Sequence, residues 1–132
     1  MADSERLQLV VTTPEKTVLS TPADALRFPL YDGSIGILPG RAPLVGRLGY
    51  GELLVTVGAE QKSYFIDSGF VQIVDGVVSL LTERAVAKDD LKRPVAEEAL
   101  AEADALPAST EEEYAHKIRE QERARRMLDM VS

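Results

Sequence analysis

Gly33-Ser34-Ile35-Gly36-Ile37-Leu38-Pro39-Gly40-Arg41-Ala42-Pro43-Leu44 is the most telling dozen residues of this 132-residue chain. Three glycines and two prolines punctuate short apolar runs, so the backbone turns sharply twice within it. No nucleophile paired with a base and no set of metal ligands sits among these residues, and no Gly-Lys-Ser/Thr follows to make a phosphate loop. A segment so committed to shape and so poor in chemistry presents a surface to a partner.

Outward from that segment, Leu7 to about Thr82 follows a period of two. Leu7, Leu9 and Val11 alternate with more polar neighbours until Thr13-Pro14. Leu26, Phe28 and Leu30 alternate up to Asp32-Gly33, and Leu53, Val55 and Val57 up to Gly58. Tyr64 and Ile66 lead to a break at Asp67-Ser68-Gly69. Phe70 to Val74 and Val77 to Leu81 flank Asp75-Gly76, which supplies the positive φ angles of a two-residue hairpin. Many short strands without an intervening helix predict an antiparallel β-sandwich or barrel over residues 1–86.

Past Ala85 the chain contains no glycine, and Ala, Glu and Arg dominate. Val95, Ala96, Ala99, Leu100 and Ala103 recur at helical spacing, a stripe of mostly small side chains that admits a second helix closely. Leu106-Pro107-Ala108-Ser109 separates the two helices. Ser109 with Glu112, or Thr110 with Glu113, forms a capping box. The second helix carries Tyr114, Ile118 and Leu128 along one side, acids Glu111 to Glu113 in its first turn, and Arg123, Arg125 and Arg126 toward its end, as a helix dipole favours. Pro94 is tolerated if the first helix starts near Leu91 to Arg93, and the adjacent acids Asp89 and Asp90 then read as caps. Residues 87–132 are therefore expected to form an antiparallel helical hairpin. Its apolar face is thin, worth a few kcal/mol at about 25 cal/mol per Å², so the sequence permits the pair of helices to move as a unit or to come apart.

Composition narrows the function. A net charge of −7 argues against a general nucleic-acid surface. The absence of Cys removes disulfides and thiolate metal sites, and a lone His116 cannot build a His-based metal cluster. Neither a metal nor a resident cofactor is expected. Ser68 lacks the strand-turn-helix setting of a nucleophile elbow, so the chain does not read as an enzyme. The N-terminus is polar and acidic, without an apolar signal core, and no apolar run nears the roughly 20 residues of a membrane span.

The segment Gly33 to Leu44 closely resembles the signature loop of the epsilon subunit of F-type ATP synthases, called delta in mitochondria. The resemblance continues through Gly51-Glu52-Leu53 and Ser68-Gly69-Phe70-Val71, and returns at Thr82-Glu83-Arg84-Ala85, where the family leaves its sandwich for the first helix. It implies a non-catalytic central-stalk subunit whose sandwich packs on the gamma subunit and sits on the c ring. It further implies peripheral attachment, through the complex alone, at the cytoplasmic face of a bacterial inner membrane. The signature loop makes Ser34 and Arg41 the expected ring contacts. Those positions are often acidic and usually His in the family, so charge and reach differ here.

In bacterial relatives the hairpin can extend into the alpha/beta catalytic head and block ATP hydrolysis. Lys117, Arg119, Arg123, Arg125 and Arg126 would supply the basic charge for that contact, with dipole compensation as the plainer account. Some relatives bind ATP as a regulatory ligand through an aliphatic-Asp-x-x-Arg-Ala motif. Asp90 and Arg93 match it, whereas Asp89 and Pro94 depart from it. The rival to a rotor subunit is a free-standing ATP-sensing or protein-binding module with a mobile hairpin.

Overall fold

The computed structural model describes residues 6–131. The chain divides into two compact units, with the boundary after Ala87. The first unit contains β1 (Leu7–Thr12), β2 (Thr17–Ala23), β3 (Ala25–Leu30), β4 (Gly33–Ile37), β5 (Leu44–Val57), β6 (Glu60–Val74), β7 (Val77–Leu81) and β8 (Ala85–Ala87). They hydrogen-bond in the order β2-β1-β7-β6-β5-β3-β4, and β8 adds a third partner to β6. Every pairing is antiparallel except that of β1 with β7, which is parallel.

The signature segment is less loop than expected. Gly33–Ile37 is an edge strand paired with β3, from Leu30↔Gly33 to Leu26↔Ile37. The two sharp turns fall on either side of it, at Tyr31-Asp32 and Pro39-Gly40. Gly40 adopts φ +88°, a conformation open to glycine at little cost.

Asp67-Ser68-Gly69 does not end a strand but bends one. On β5, Leu44, Gly46 and Leu48 face inward, and then Gly51, Leu53 and Val55 do so. On β6 the inward residues are Tyr64 and Ile66, then Val71 and Ile73. The pairs Leu48↔Gly69 and Gly51↔Ile66 bracket the change of phase. Alternation shifts by one residue on both strands, so the same long ribbon presents opposite faces to the core at its two ends. That crease folds one sheet over into a sandwich. Ser68 at φ 54° and Gly69 at φ 122° supply the bend. A Cβ on Gly69 would stand 1.8 Å from the Leu81 carbonyl oxygen, so the crease requires glycine.

Buried Thr82 secures the same place. Its hydroxyl oxygen accepts from the Asp67 backbone N–H at 3.1 Å and donates to the Arg84 carbonyl at 3.2 Å. Its own N–H donates to the Thr12 carbonyl at 3.0 Å. Leu9, Phe28, Leu53, Ile66, Ile73 and Leu80, each at most 1% exposed, belong to one core cluster supplied by β1, β3, β5, β6 and β7. The expected Asp-Gly hairpin forms with Val74 opposite Val77, Asp75 at φ 51° and Gly76 at φ 79°.

The second unit begins with a single 3-10 turn, Lys88–Asp90, followed by α1 (Arg93–Asp104) and α2 (Glu111–Val131), which pack on each other. Pro94 occupies the first turn of α1, where its missing N–H costs nothing. Asp89 and Asp90 do not cap this helix. Its N-cap is Lys92, with no side-chain hydrogen bond, because the 3-10 turn ends two residues earlier. Of the two possible capping boxes, Thr110/Glu113 forms: Glu113 N–H donates to Thr110 Oγ1 at 3.0 Å and Thr110 N–H to Glu113 Oε1 at 3.2 Å.

The expected apolar side of α2 is corrected as well. Tyr114 and Ile118 are 59% and 46% exposed, while Ala124, Met127 and Met130 are buried. Small Ala96 and Ala103 on α1 are buried too.

Candidate functional site

Three surfaces carry the residues singled out from sequence. At the signature segment, Ser34 lies near the start of β4, opposite Pro29, and is exposed. Arg41 follows the Pro39-Gly40 turn beyond the other end of that strand and is exposed, as is Leu38 at 65%. The two residues expected to act together thus project from opposite ends of one short edge strand. Ile35 and Ile37 between them turn inward and anchor it.

On α2, helical periodicity separates the five basic residues. Arg119, Arg123 and Arg126 recur at spacings of four and three along one side. Arg125 falls on another side, with Tyr114 and Ile118. Lys117 is half-buried, in the same stripe as Ala124 and Met127. Arg126 donates to Glu122 through Nε and its terminal nitrogen, both at 2.9 Å. No basic residue occupies the last turn of the helix. Dipole compensation acts within that turn, so it does not account for these arginines.

Asp90 ends the 3-10 turn and Arg93 opens α1, both exposed. Arg93 lies 3.8 Å from Glu97 on the next turn of its own helix. Among the described residues no cluster of acids or His has the makings of a metal site, and no helix is long and apolar enough to cross a membrane. A shallow cavity of about 160 Å³ opens between β2 and the far ends of β5 and β6, lined by Leu19, Val57, Lys62 and Tyr64 among others. None of the candidate site residues named from sequence lines it.

A fourth surface was missed by the sequence reading. Strands β1, β7, β6 and the first half of β5 turn alternate residues away from the core. In register across the ladder these are Thr12, Leu81, Phe70 and Arg47, then Val10, Ser79, Gln72 and Val45, then Gln8, Val77 and Val74. Val45 is 76% exposed, Phe70 59% and Leu81 53%. Arg47 is the one charged residue in these rows. Its guanidinium stacks 4.7 Å from the centre of the exposed Tyr31 ring, and its carbonyl accepts from the Tyr31 N–H at 2.8 Å. Exposed Val45, Phe70, Val74, Val77 and Leu81, interspersed with neutral polar residues on one sheet face, mark an interaction site. The signal was present in Phe70-Val71-Gln72-Ile73-Val74 and Val77-Val78-Ser79-Leu80-Leu81: such runs are apolar at both parities, as in strands covered on both faces.

Asp24, at the turn between β2 and β3, ties three segments. Its carboxylate accepts from Gly58 N–H at 2.6 Å and from Arg6 Nε at 2.9 Å. The Gly58 amide and then the Arg6 charge outweigh partial desolvation and hold its pKa below the ordinary value.

Comparison with known proteins agrees with this architecture. The family described as ATP synthase, Delta/Epsilon chain, beta-sandwich domain matches residues 6–88. The ATP synthase epsilon chain of Rhodopirellula baltica is 43% identical over 122 residues, covering 92% of this chain and 95% of that protein. The epsilon chain of Leptospira interrogans is 39% identical over 106 residues, 80% of this chain and 84% of that one. Among solved structures, a chain of the Euglena gracilis mitochondrial ATP synthase (OSCP, F1 and c-ring) superposes with a TM-score of 0.85 at 25% identity. It covers 97% of this chain and 82% of that chain. A chain of the Tetrahymena thermophila central stalk and c-ring shares the fold, with a TM-score of 0.77 at 12% identity over 96% of each. Matched across its sandwich by the family and along nearly its whole length by epsilon chains, this chain belongs to the delta/epsilon chains of ATP synthase.

Proposed function

We propose that the chain is the epsilon-type rotor subunit of an F-type ATP synthase, non-catalytic itself, and that it couples the catalytic head to the c ring. The observation that carries this reading is the exposed apolar face around Phe70, Leu81 and Val45 in a chain of this family. An isolated domain gains nothing by leaving such a face wet, whereas a subunit clamped to the gamma shaft buries it. Ser34, Leu38 and Arg41 at the edge strand and its turn are the contacts to the polar loops of the ring. The subunit is then held at the membrane by its partners, at the cytoplasmic face in a bacterium.

The hairpin acts as a brake on ATP hydrolysis. Support comes from Arg119, Arg123 and Arg126 sharing one side of α2, away from its last turn, where an acidic segment of the alpha/beta head would meet them. Arg125 adds charge on the neighbouring side beside exposed Tyr114 and Ile118.

Hydrolysis by a catalytic head depleted of its own epsilon subunit tests both parts, titrated with the full chain and with a chain ending at Ala87. The full chain is expected to co-purify with the shaft and slow turnover, and the shortened one to co-purify without slowing it. Failure of both to associate would remove the rotor assignment. Equal inhibition by the two would remove the hairpin from the brake.

A further inference from the structure

The docking face carries a single charge among its apolar and neutral polar residues, and that charge is held in place. Arg47 projects from β5 between Phe70 on β6 and the ring of Tyr31, 4.7 Å from its guanidinium. The backbone hydrogen bond from Tyr31 N–H to the Arg47 carbonyl fixes the two residues side by side. Among the described residues no carboxylate forms an ion pair with Arg47. A guanidinium over an aromatic ring is restrained in place while its hydrogen-bond donors remain to be satisfied. Covering this face with a purely apolar surface would strip water from a charge and return nothing for it.

We infer that Arg47, held over the Tyr31 ring, is the register-setting anchor of the docked face and pairs with a carboxylate of the rotor shaft. The inference rests on the docking role proposed above. Phe70 and Leu81 supply the non-directional burial, which by itself tolerates sliding along the strands. One directed charge pair at the edge of the patch removes that freedom and rejects shafts with a basic residue there.

Affinity of the full chain for the gamma shaft of its own synthase, measured from low to high salt, tests the inference with Arg47→Met, Arg47→Lys and Phe70→Asp. Methionine keeps the apolar stem and removes the charge. It is expected to weaken binding roughly tenfold or more at low salt and to flatten the salt dependence. Lysine, a point charge that stacks less well, should fall between. Arg47→Met binding like the parent at every salt, while Phe70→Asp abolishes docking, overturns the anchor and leaves the face intact. Weakening with an unchanged salt dependence assigns Arg47 to stacking and overturns the carboxylate partner. Full binding by Phe70→Asp removes the docking face itself. Both positions, Arg47 and Phe70, are exposed, and an unchanged far-UV spectrum establishes that each variant is folded.

Discussion

At the scale of single residues, two positions hold the sandwich in shape by different means. Gly69 is a steric requirement: its φ of 122° and the Leu81 carbonyl oxygen 1.8 Å from any added Cβ leave no room for a side chain. Gly69→Ala is expected to cost about 3 kcal/mol or more, through strain at the crease, and urea unfolding of the purified chain measures it. Asp24 is an electrostatic fastener. Its carboxylate is stabilised in the fold, so it titrates below its ordinary value of 3.8. The stability it confers is therefore complete above 3.8 and is lost as pH falls further, through the folded-state pKa. Thermal unfolding of the parent and of Asp24→Asn should differ near neutral pH and converge as the pH falls below 3.8. A gap that persists or widens in acid would refute the assignment. Gly69 was legible as a turn residue, but its neighbour in space, Leu81, is a product of the fold.

Among the elements, the strands and helices differ in how much their sequences revealed. The Asp75-Gly76 hairpin was readable because its turn chemistry is local. So was the Thr110/Glu113 box, although Ser109 offered an equal pattern and only geometry chose between them. Thr110→Ala should remove one cap of α2 and cost about 1 kcal/mol, visible as faster hydrogen exchange in the first turn with the sandwich unaffected. Elsewhere the local pattern misled. Tyr114 and Ile118 are the largest apolar residues in the first half of α2, yet that helix buries alanine and methionine. Ala96 and Ala124, both 0% exposed, leave no space for a larger side chain. Ala96→Leu is expected to overpack the hairpin and to accelerate amide exchange throughout α1 and α2, but not in β1, β6 or β7.

For the whole molecule, the core cluster draws its fully buried members only from Leu7 to Leu80. A chain ending at Ala87 should therefore fold alone and unfold cooperatively, keeping the docking face and losing the brake. The two functions are then separable. If, as proposed, shaft binding belongs to the sandwich and inhibition to the helices, Phe70→Asp should abolish the first and the removal of residues 88–132 the second.

The amino-acid sequence by itself determined the β-then-α order, the place where one period yields to the other, the tight turns and the likeness to the epsilon family. Those are properties of neighbours along the chain: alternation, glycine and proline punctuation, and caps reach over a few residues. Tertiary structure decided the rest. The parallel register of β1 against β7, the crease that makes one ribbon serve two layers, and the outward apolar rows all depend on pairings between distant strands. Phe70 and Val71 look alike in sequence. Which of them faces the core was settled when Leu48↔Gly69 and Gly51↔Ile66 shifted the alternation by one residue, and that shift aimed Phe70 outward beside Arg47.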